Sequence, residues 1–246
     1  MQYKLFLMNN FILIYEKLLS HFNPQHWWPV TKEGELAPKY HKNIELNDKQ
    51  KLEICFGAIL TQNTNWKNVE KAIVELNKSN LINIKKINKI NIKKLALLIK
   101  SSGYHNQKAK KLKNFCEFLM KSYNGKLKNL FNNDIQKLRK KLLSINGIGP
   151  ETADSIILYA AKKPIFVIDA YTKRIMSRIG YKEKTYDELQ NLFMHNIPNN
   201  EKLFNEYHAL LVELGKNICK KEPLCQECPI NKYCNYYKNI YTKNNN

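Results

Sequence analysis

The sequence predicts an all-α protein, and three observations support this fold class. Apolar residues recur with the helical period, and the clearest stripe consists of Leu52, Cys55, Phe56, Ile59 and Leu60. Alternation of apolar and polar residues is short and rare, apart from Pro164 to Asp169. Gly103 and Gly125 follow helical segments, at positions where helix C-caps favour glycine. We therefore expect several short antiparallel helices between residues 48 and 165.

Other segments carry the same pattern along the chain. The opening Met1–Phe22 predicts an amphipathic helix, because polar residues interrupt it and no small-residue cleavage site follows. Four further helices are predicted at Asn65–Asn77, Asn91–Gly103, Asn106–Tyr123 and Asp134–Ile145. The segment Ile82–Lys94 looks like the compositional bias of an AT-rich coding sequence. The tail Tyr241–Asn246 is expected to be disordered.

Length and charge limit the class of protein. A chain of 246 residues forms one large domain or two small ones. No apolar run approaches the ~20 residues that cross a bilayer, so no membrane association is expected. The net charge of +20 favours a polyanionic partner, nucleic acid above all, although coding bias alone also explains it. We expect a cytoplasmic, nucleoid-associated protein of prokaryotic type.

A glycine-rich turn lies between two predicted helices at Ile145–Ile156. Gly147 and Gly149 permit backbone angles that side chains forbid, and Ile148 stands between them. Exposed amides in such a turn bind a phosphate without reading sequence, whereas an ordinary helix–helix turn needs no ligand. Pro150 suits the first turn of the next helix, and Glu151 suits its dipole.

Four of the six cysteines crowd near the C-terminus. Cys219, Cys225, Cys228 and Cys234 follow the spacing C-x5-C-x2-C-x5-C. Four thiolates suit an iron–sulfur cluster or a structural zinc ion, and the spacing alone does not separate these. Cys55 and Cys116 lie on apolar helix faces and are predicted to be buried.

Several motifs together resemble one family. Gly-Ile-Gly before Thr-Ala, the run VIDAYTKRIMSRIG and the run GAILTQNT resemble the helix–hairpin–helix DNA glycosylases of the endonuclease III type, from about Leu52 to Cys234. The WWP element before LTQNT resembles the branch that removes 3-methyladenine. The resemblance implies a two-lobed helix–hairpin–helix glycosylase fold. Residues 48–165 would form a six-helix barrel, and residues 1–47 with 166–246 a discontinuous lobe carrying the cysteine loop.

The resemblance also implies catalytic residues. Asp169 matches the family's catalytic aspartate, which stabilises positive charge on the sugar and orients water; by itself it would be a helix N-cap. Bifunctional relatives place a Schiff-base lysine directly before Thr-Ala, where this chain has Glu151. A carboxylate cannot form an imine, which favours a monofunctional enzyme unless another lysine substitutes. Glu151 either favours the helix start or contacts the extruded base.

Further roles follow from the same resemblance. Gln62 matches the glutamine that fills the gap left by the flipped base, and Trp27 or Trp28 would stack on a cationic purine. The cysteines would hold a 4Fe-4S cluster, although their first gap is one residue shorter than in the family. Lysines of this loop would meet phosphates: Lys220, Lys221 and Lys232. Tyr104 and His105 lie on another loop of that branch, which would reach the cleft. Four lysines of one helix are expected to be solvated, namely Lys108, Lys110, Lys111 and Lys113.

The predicted function is base excision by a monomer that acts on duplex DNA with a damaged base. The favoured substrate is an alkylated purine. One alternative is a bifunctional glycosylase and AP lyase acting on oxidised pyrimidines. Another is a non-catalytic DNA-binding protein, which the charge and the glycine turn alone would support.

Overall fold

The computed structural model describes residues 2–243, with side chains described from residue 10 to residue 240. The all-α prediction is confirmed: thirteen α-helices lie within the described residues, and the β-pairing there is a single isolated bridge between Val30 and Lys39. The apolar run before Asp169 is buried without belonging to a strand. None of the helices described is both long and apolar enough to span a membrane.

The helices follow the predicted segments closely. Their bounds are α1 Gln2–Phe22, α2 Asp48–Leu60, α3 Trp66–Lys78, α4 Ile84–Lys89, α5 Ile92–Leu98, α6 His105–Tyr123, α7 Leu127–Phe131, α8 Ile135–Leu143, α9 Pro150–Ser155, α10 Ala170–Ile179, α11 Tyr186–Asn196, α12 Glu201–Asn217 and α13 Asn235–Lys243. A π-helical turn, Ile156–Ala160, continues α9. Of the tail predicted to be disordered, Tyr241–Lys243 lies in α13 and Asn244–Asn246 lies outside the described residues.

The chain divides into two compact units. The central unit comprises residues 26–163, and the terminal unit comprises the described residues of 1–25 and 164–246. In the central unit, α6 packs against α2, α4, α5 and α7. In the terminal unit, α10 packs against α12 and α13, while α1 packs against α11 and α12.

The segment 26–47 belongs to the central unit, whereas the sequence analysis grouped it with the N-terminal helix. Hydrogen bonds hold it there. The Thr31 amide donates to Glu53 Oε1 of α2 at 2.8 Å, and Asn77 Nδ2 of α3 donates to Leu36 O at 3.1 Å. Because these bonds join residues far apart in sequence, no local pattern predicts them.

The segment Ile82–Lys94, interpreted as compositional bias, folds into α4 and the start of α5. Ile84 is 9% exposed and Ile87 is fully buried, and α4 packs on α6. Asn83 and Asn91 accept backbone N–H bonds as the N-caps of the two helices. Ile84 and Ile87 therefore belong to the core, and Asn83 and Asn91 cap the two helices.

An aromatic cluster fills the terminal unit. Phe166 stacks on Phe193 with ring centroids 3.9 Å apart, and Phe11 meets Phe193 edge-on at 4.9 Å. The Tyr207 hydroxyl donates to Phe11 O at 2.9 Å, which satisfies the polar end of a buried ring. This core supports the segment that leads into Asp169.

Candidate nucleic-acid interface and catalytic residues

The turn between α8 and α9 is a tight hairpin. Gly147 has φ +95°, which disfavours any side chain, and a β-carbon there would meet the side chain of Lys111. Ile148 is 5% exposed and anchors the turn in the core of the central unit. Gly149 is exposed and is the N-cap of α9, and a β-carbon there would meet no atom within 4 Å. The hairpin therefore presents open backbone at the start of a helix.

An ion pair joins the two helices that flank the hairpin. Arg139 of α8 donates from Nε to Asp154 Oδ1 at 2.8 Å and from Nη2 to Oδ2 at 3.2 Å. Asp154 of α9 is fully buried. A bidentate pair fixes both the distance and the angle between the two helices that flank the turn.

Gln62 binds the hairpin. Its Nε2 donates to Gly147 O at 3.0 Å and to Thr152 Oγ1 at 2.9 Å, and its Oε1 accepts from Lys111 Nζ. These bonds tie the loop after α2 to both ends of the glycine turn. A gap-filling role for Gln62 stays a prediction, and it would require these bonds to exchange for contacts with DNA. Asn63, next to it, is exposed with φ +53°.

Glu151 is exposed in the first turn of α9, directly after Pro150. Its carbonyl oxygen accepts from the Ser155 hydroxyl at 2.7 Å. Thr152, next in sequence, is 6% exposed and faces Gln62. The side chain of Glu151 is thus accessible, and its carboxylate suits the positive end of the helix dipole.

The tryptophans lie in an aromatic cluster of the central unit. Trp28 is 9% exposed, and its ring lies 5.4 Å from that of Trp66 and 5.0 Å from that of Tyr159, centroid to centroid. Trp27 is half-buried, 6.0 Å from Tyr159. Tyr159 stands in the π-helical turn that continues α9, so the cluster and the hairpin share one element. Trp28 packs inside the protein, whereas Trp27 has the more accessible face.

Asp169 is the N-cap of α10. Its Oδ1 accepts from the Thr172 amide at 2.7 Å, and the side chain is half-buried. The buried imidazole of His208 on α12 lies within electrostatic reach: burial lowers the pKa of His208, and the Asp169 carboxylate raises it to a smaller extent. One carboxylate oxygen of Asp169 is thus committed to the helix, and no hydrogen-bond partner of Oδ2 is present among the described residues.

The four C-terminal cysteines lie in a loop that α10 supports. Arg178 donates to Cys219 Sγ at 3.2 Å, and the Cys234 thiol donates to Arg178 O at 3.3 Å. Arg178 also donates to Lys220 O at 2.6 Å and to Lys221 O at 3.0 Å. The three lysines of the loop are exposed: Lys220, Lys221 and Lys232.

The four thiols are candidate ligands for a metal group. All four are free and partly exposed. Burial raises the pKa of Cys225, with Cys234 and Cys219 adding to the rise, so these thiols lie within electrostatic reach of one another. Among the side chains that the structure describes, residues 10–240, no group of three or more His, Cys, Asp or Glu has the geometry of a bound metal ion. Four thiolates suit an iron–sulfur cluster or a structural zinc ion.

The lysines of α6 are not solvated as a group. Lys108 is 2% exposed, Lys111 binds Gln62, and Lys113 donates to Asn88 O at 3.1 Å and to Ile90 O. Lys110 is exposed, as predicted. The error has a physical source, because Lys108 stands on the apolar stripe of α6, four residues before Leu112 and seven before Phe115. The stripe itself was the signal for burial.

The loop before α6 exposes an aromatic residue. Tyr104 is 65% exposed with φ +44°, and it follows Gly103 at φ +69°. His105 is half-buried and begins α6. Non-glycine residues held at positive φ, as Tyr104 is, cluster at functional sites.

Comparisons with known proteins agree with this arrangement. Residues 56–199 match the profile of the HhH-GPD superfamily base excision DNA repair protein. The chain is 42% identical over 225 residues to a protein of Methanocaldococcus jannaschii that carries the name of a DNA repair glycosylase, covering 90% of this chain and 94% of that one. It is 29% identical over 208 residues to endonuclease III of Thermotoga maritima, covering 83% and 92%.

Solved structures are also similar. The H. pylori 3-methyladenine DNA glycosylase MagIII, bound to 1,N6-ethenoadenine, has a TM-score of 0.67 at 28% identity and covers 85% of this chain and 97% of its own. A trapped endonuclease III–DNA covalent intermediate has a TM-score of 0.75 at 19% identity, covering 95% and 98%. The second likeness concerns the fold alone.

Proposed function

The chain belongs to the HhH-GPD superfamily of base excision DNA repair proteins, and from this premise we propose that it is a monofunctional DNA glycosylase. It hydrolyses the N-glycosidic bond of alkylated purines in duplex DNA and releases the free base. The observation that carries the proposal is the exposed Glu151 in the first turn of α9. In bifunctional members a lysine amine at this place attacks the sugar. A carboxylate forms no imine, so water completes the reaction.

Asp169 is the proposed catalyst. Breaking the bond between base and sugar develops positive charge on the sugar, which a carboxylate stabilises. The Thr172 amide holds Oδ1, so the carboxylate is oriented before DNA arrives. Oδ2 is then the oxygen that faces the sugar and orients the attacking water.

The proposed substrate is supported by the likeness to MagIII, at an identity of 28%. Alkylation gives a purine positive charge, and aromatic faces attract cations. Trp27 has the accessible face, while Trp28 and Tyr159 pack beside it. We therefore assign stacking on the extruded base to Trp27 and support of that ring to Trp28.

The hairpin and the cysteine loop are the proposed contacts with the DNA backbone. The Ile148 amide donates to Ile145 O at 3.0 Å, so the proposed phosphate contacts of the turn are the amides of Gly147 and Gly149. The three exposed lysines of the cysteine loop are proposed to contact other phosphates. A 4Fe-4S cluster would be held by the four free thiols of Cys219, Cys225, Cys228 and Cys234, and it would fix the conformation of the loop. Arg178 orients this loop through its bonds to Cys219 and to two lysine carbonyls.

The alternative is a bifunctional enzyme acting on oxidised pyrimidines. It is favoured by the similarity to endonuclease III of Thermotoga maritima, at an identity of 29%. The two functions differ in chemistry at the abasic site, so one assay separates them.

The test uses duplexes that carry 3-methyladenine, thymine glycol, uracil, or adenine opposite 8-oxoguanine, with and without alkali. We expect the protein to release 3-methyladenine without alkali. The DNA strand should be cleaved at the resulting abasic site only after alkali is added. Cleavage without alkali together with borohydride trapping would establish the bifunctional alternative instead. Asp169→Asn is the matched variant, since asparagine caps a helix as well as aspartate does. It should keep the fold and lose base release by at least about 100-fold; unchanged release would mean that Asp169 is not the catalyst.

Salt-sensitive DNA binding without release of any base would instead support the non-catalytic alternative. Bound zinc in a colourless protein would contradict the cluster.

A further inference from the structure

Lys108 is a charged side chain inside the central unit. It is 2% exposed, and its Nζ donates to Leu60 O at 2.8 Å and to Ser102 O at 2.5 Å. A buried ammonium is costly unless it is hydrogen-bonded, and these two carbonyl groups supply the bonds. Among the described residues no carboxylate pairs with it.

The helix that carries Lys108 does not explain its presence. Lys108 lies in the first turn of α6, where a positive charge opposes the helix dipole. The hydrogen-bond acceptors of Lys108 are instead backbone carbonyl groups at the C-terminal ends of two other helical elements. Leu60 is the last residue of α2, and Ser102 is the last residue of the 3₁₀ turn Lys100–Ser102. Carbonyls at helix C-termini lack intrahelical partners, and a cation satisfies them.

Both partners lead directly into loops that the family resemblance associates with the flipped base and the cleft around it. Gln62, which binds the glycine hairpin, follows Leu60 by two residues, and the exposed Tyr104 follows Ser102 by two residues. We propose that Lys108 is a positioning residue for DNA binding: its ammonium joins the two chain ends and so sets the spacing between the Gln62 loop and the Tyr104 loop. The proposal rests on the proposed function, because the two loops can contact DNA only if the protein binds a duplex.

The charge on Lys108 responds to pH near neutrality. Burial lowers the pKa of Lys108 to about 8, and the positive charge of Lys111 adds to the shift. The elements that pack on α6 near Lys108 carry further titratable groups, namely Lys100 in the 3₁₀ turn and Glu53 on α2, and His105 begins α6 itself. As the pH rises through about 8, the ammonium loses a proton, and its hydrogen bonds to the two carbonyl groups weaken.

The experiment compares Lys108→Met and Lys108→Arg with the wild type and with Lys121→Met as control. Lys121 is on the same helix, is exposed and pairs with Glu117. The probe is a duplex with a tetrahydrofuran abasic analogue opposite 2-aminopurine, which requires neither catalysis nor knowledge of the lesion. Affinity and 2-aminopurine fluorescence, which reports insertion beside the unpaired base, are measured between about pH 6.5 and pH 9.5. Circular dichroism gives the folded fraction.

For the wild type we expect binding and a fluorescence change that both decline above about pH 8. Lys108→Met should bind about 10- to 100-fold more weakly, without the fluorescence change and without that pH dependence. Lys108→Arg should retain the signal above pH 8, because guanidinium keeps its charge there. Lys121→Met should match the wild type.

The proposal is overturned if folded Lys108→Met gives wild-type fluorescence and the wild-type pH profile. It is also overturned if the loss of affinity and fluorescence in Lys108→Met is accounted for by its unfolded fraction and Lys108→Arg shows the same loss. A folded wild type that does not bind the abasic duplex contradicts the proposed function itself, and this proposal with it.

Discussion

Glu53 is a carboxyl group buried in the central unit, 3% exposed, where it organises the segment before α2. Its Oε1 accepts from the Thr31 amide at 2.8 Å, and its Oε2 accepts from Asn77 Nδ2 at 3.1 Å. Burial raises the pKa of Glu53, and the bonds from Asn77 and Thr31 offset part of the rise. The folded protein therefore holds the Glu53 proton more tightly than the unfolded chain.

A raised carboxyl pKa makes a signed prediction about stability. The contribution of Glu53 is fully present below its unfolded pKa, near 4.3, and is lost as pH rises through its higher folded pKa. Glu53→Gln removes the titration, although its amide would also place Nε2 against Asn77 Nδ2. In urea unfolding at several pH values, the stability advantage of the wild type over the variant should shrink from about pH 4 to pH 8. An advantage that grows with pH would contradict this.

Single residues also mark the limit of what the sequence predicts. Burial of Cys55 and Cys116 follows from their place on apolar stripes, and both are fully buried. The residue type of Lys108 predicts exposure, whereas its position on the apolar stripe of α6 indicates burial, and Lys108 is 2% exposed. The direction of Gln62 depends on Lys111 and the hairpin, which lie far away in sequence. No local pattern contains that information.

At the scale of the element, the hairpin uses its two glycines for different purposes. Gly147 needs its positive φ and the space that Lys111 fills. Gly149, at φ −95° and ψ 179°, has a conformation open to any residue, and nothing in the protein lies near its missing β-carbon. Its lack of a side chain thus leaves room for a ligand.

Alanine substitutions separate these two purposes. Gly147→Ala should lower the free energy of unfolding by about 1 to 2 kcal/mol, because alanine is strained at positive φ. Gly149→Ala should leave stability within about 0.5 kcal/mol of the wild type and weaken DNA binding, since its methyl group occupies the approach to the backbone. Thermal unfolding and filter binding measure the two effects. Unchanged binding by Gly149→Ala would remove the hairpin start from the DNA contacts.

The ion pair between α8 and α9 gives a second prediction for the hairpin. Arg139→Met leaves the buried Asp154 without its bidentate partner, so we expect a loss of about 2 to 4 kcal/mol in the free energy of unfolding. Adding Asp154→Leu should restore part of that loss, since it removes a buried charge that has lost its guanidinium partner. A double-mutant cycle by urea unfolding gives the coupling. Additive losses would show that the two side chains act independently.

Helix positions were predictable because the apolar period is local, as in α2, α3 and α6. The fold of the run Ile82–Lys94 was not predictable in this way. A biased amino-acid composition and two short capped helices produce similar sequences there. The segment 26–47 has no period at all, and its place is set by bonds to α2 and α3.

For the whole molecule, the net charge of +20 has meaning only where lysines are available to DNA. Some are engaged within the protein, as Lys108 and Lys111 are. Others pair with a glutamate one turn away, at Lys39, Lys78 and Lys121. Lysines of the cysteine loop are exposed, and Arg178 binds two of their backbone carbonyls, which fixes the path of the chain that carries them. Equal charges should therefore contribute unequally to DNA affinity.

The salt dependence of binding tests this inequality at constant net charge. The loop variant changes three lysines to glutamine, Lys220, Lys221 and Lys232, and the control variant changes Lys39, Lys78 and Lys121 in the same way. Log affinity falls with log salt, and each phosphate contact contributes about 0.9 to the magnitude of that slope. The magnitude of the slope should therefore be smaller by up to about 2.7 in the loop variant. The control should lose much less, although both proteins carry the same net charge. Equal losses would mean that DNA responds to total charge and that the cysteine loop has no particular role in binding.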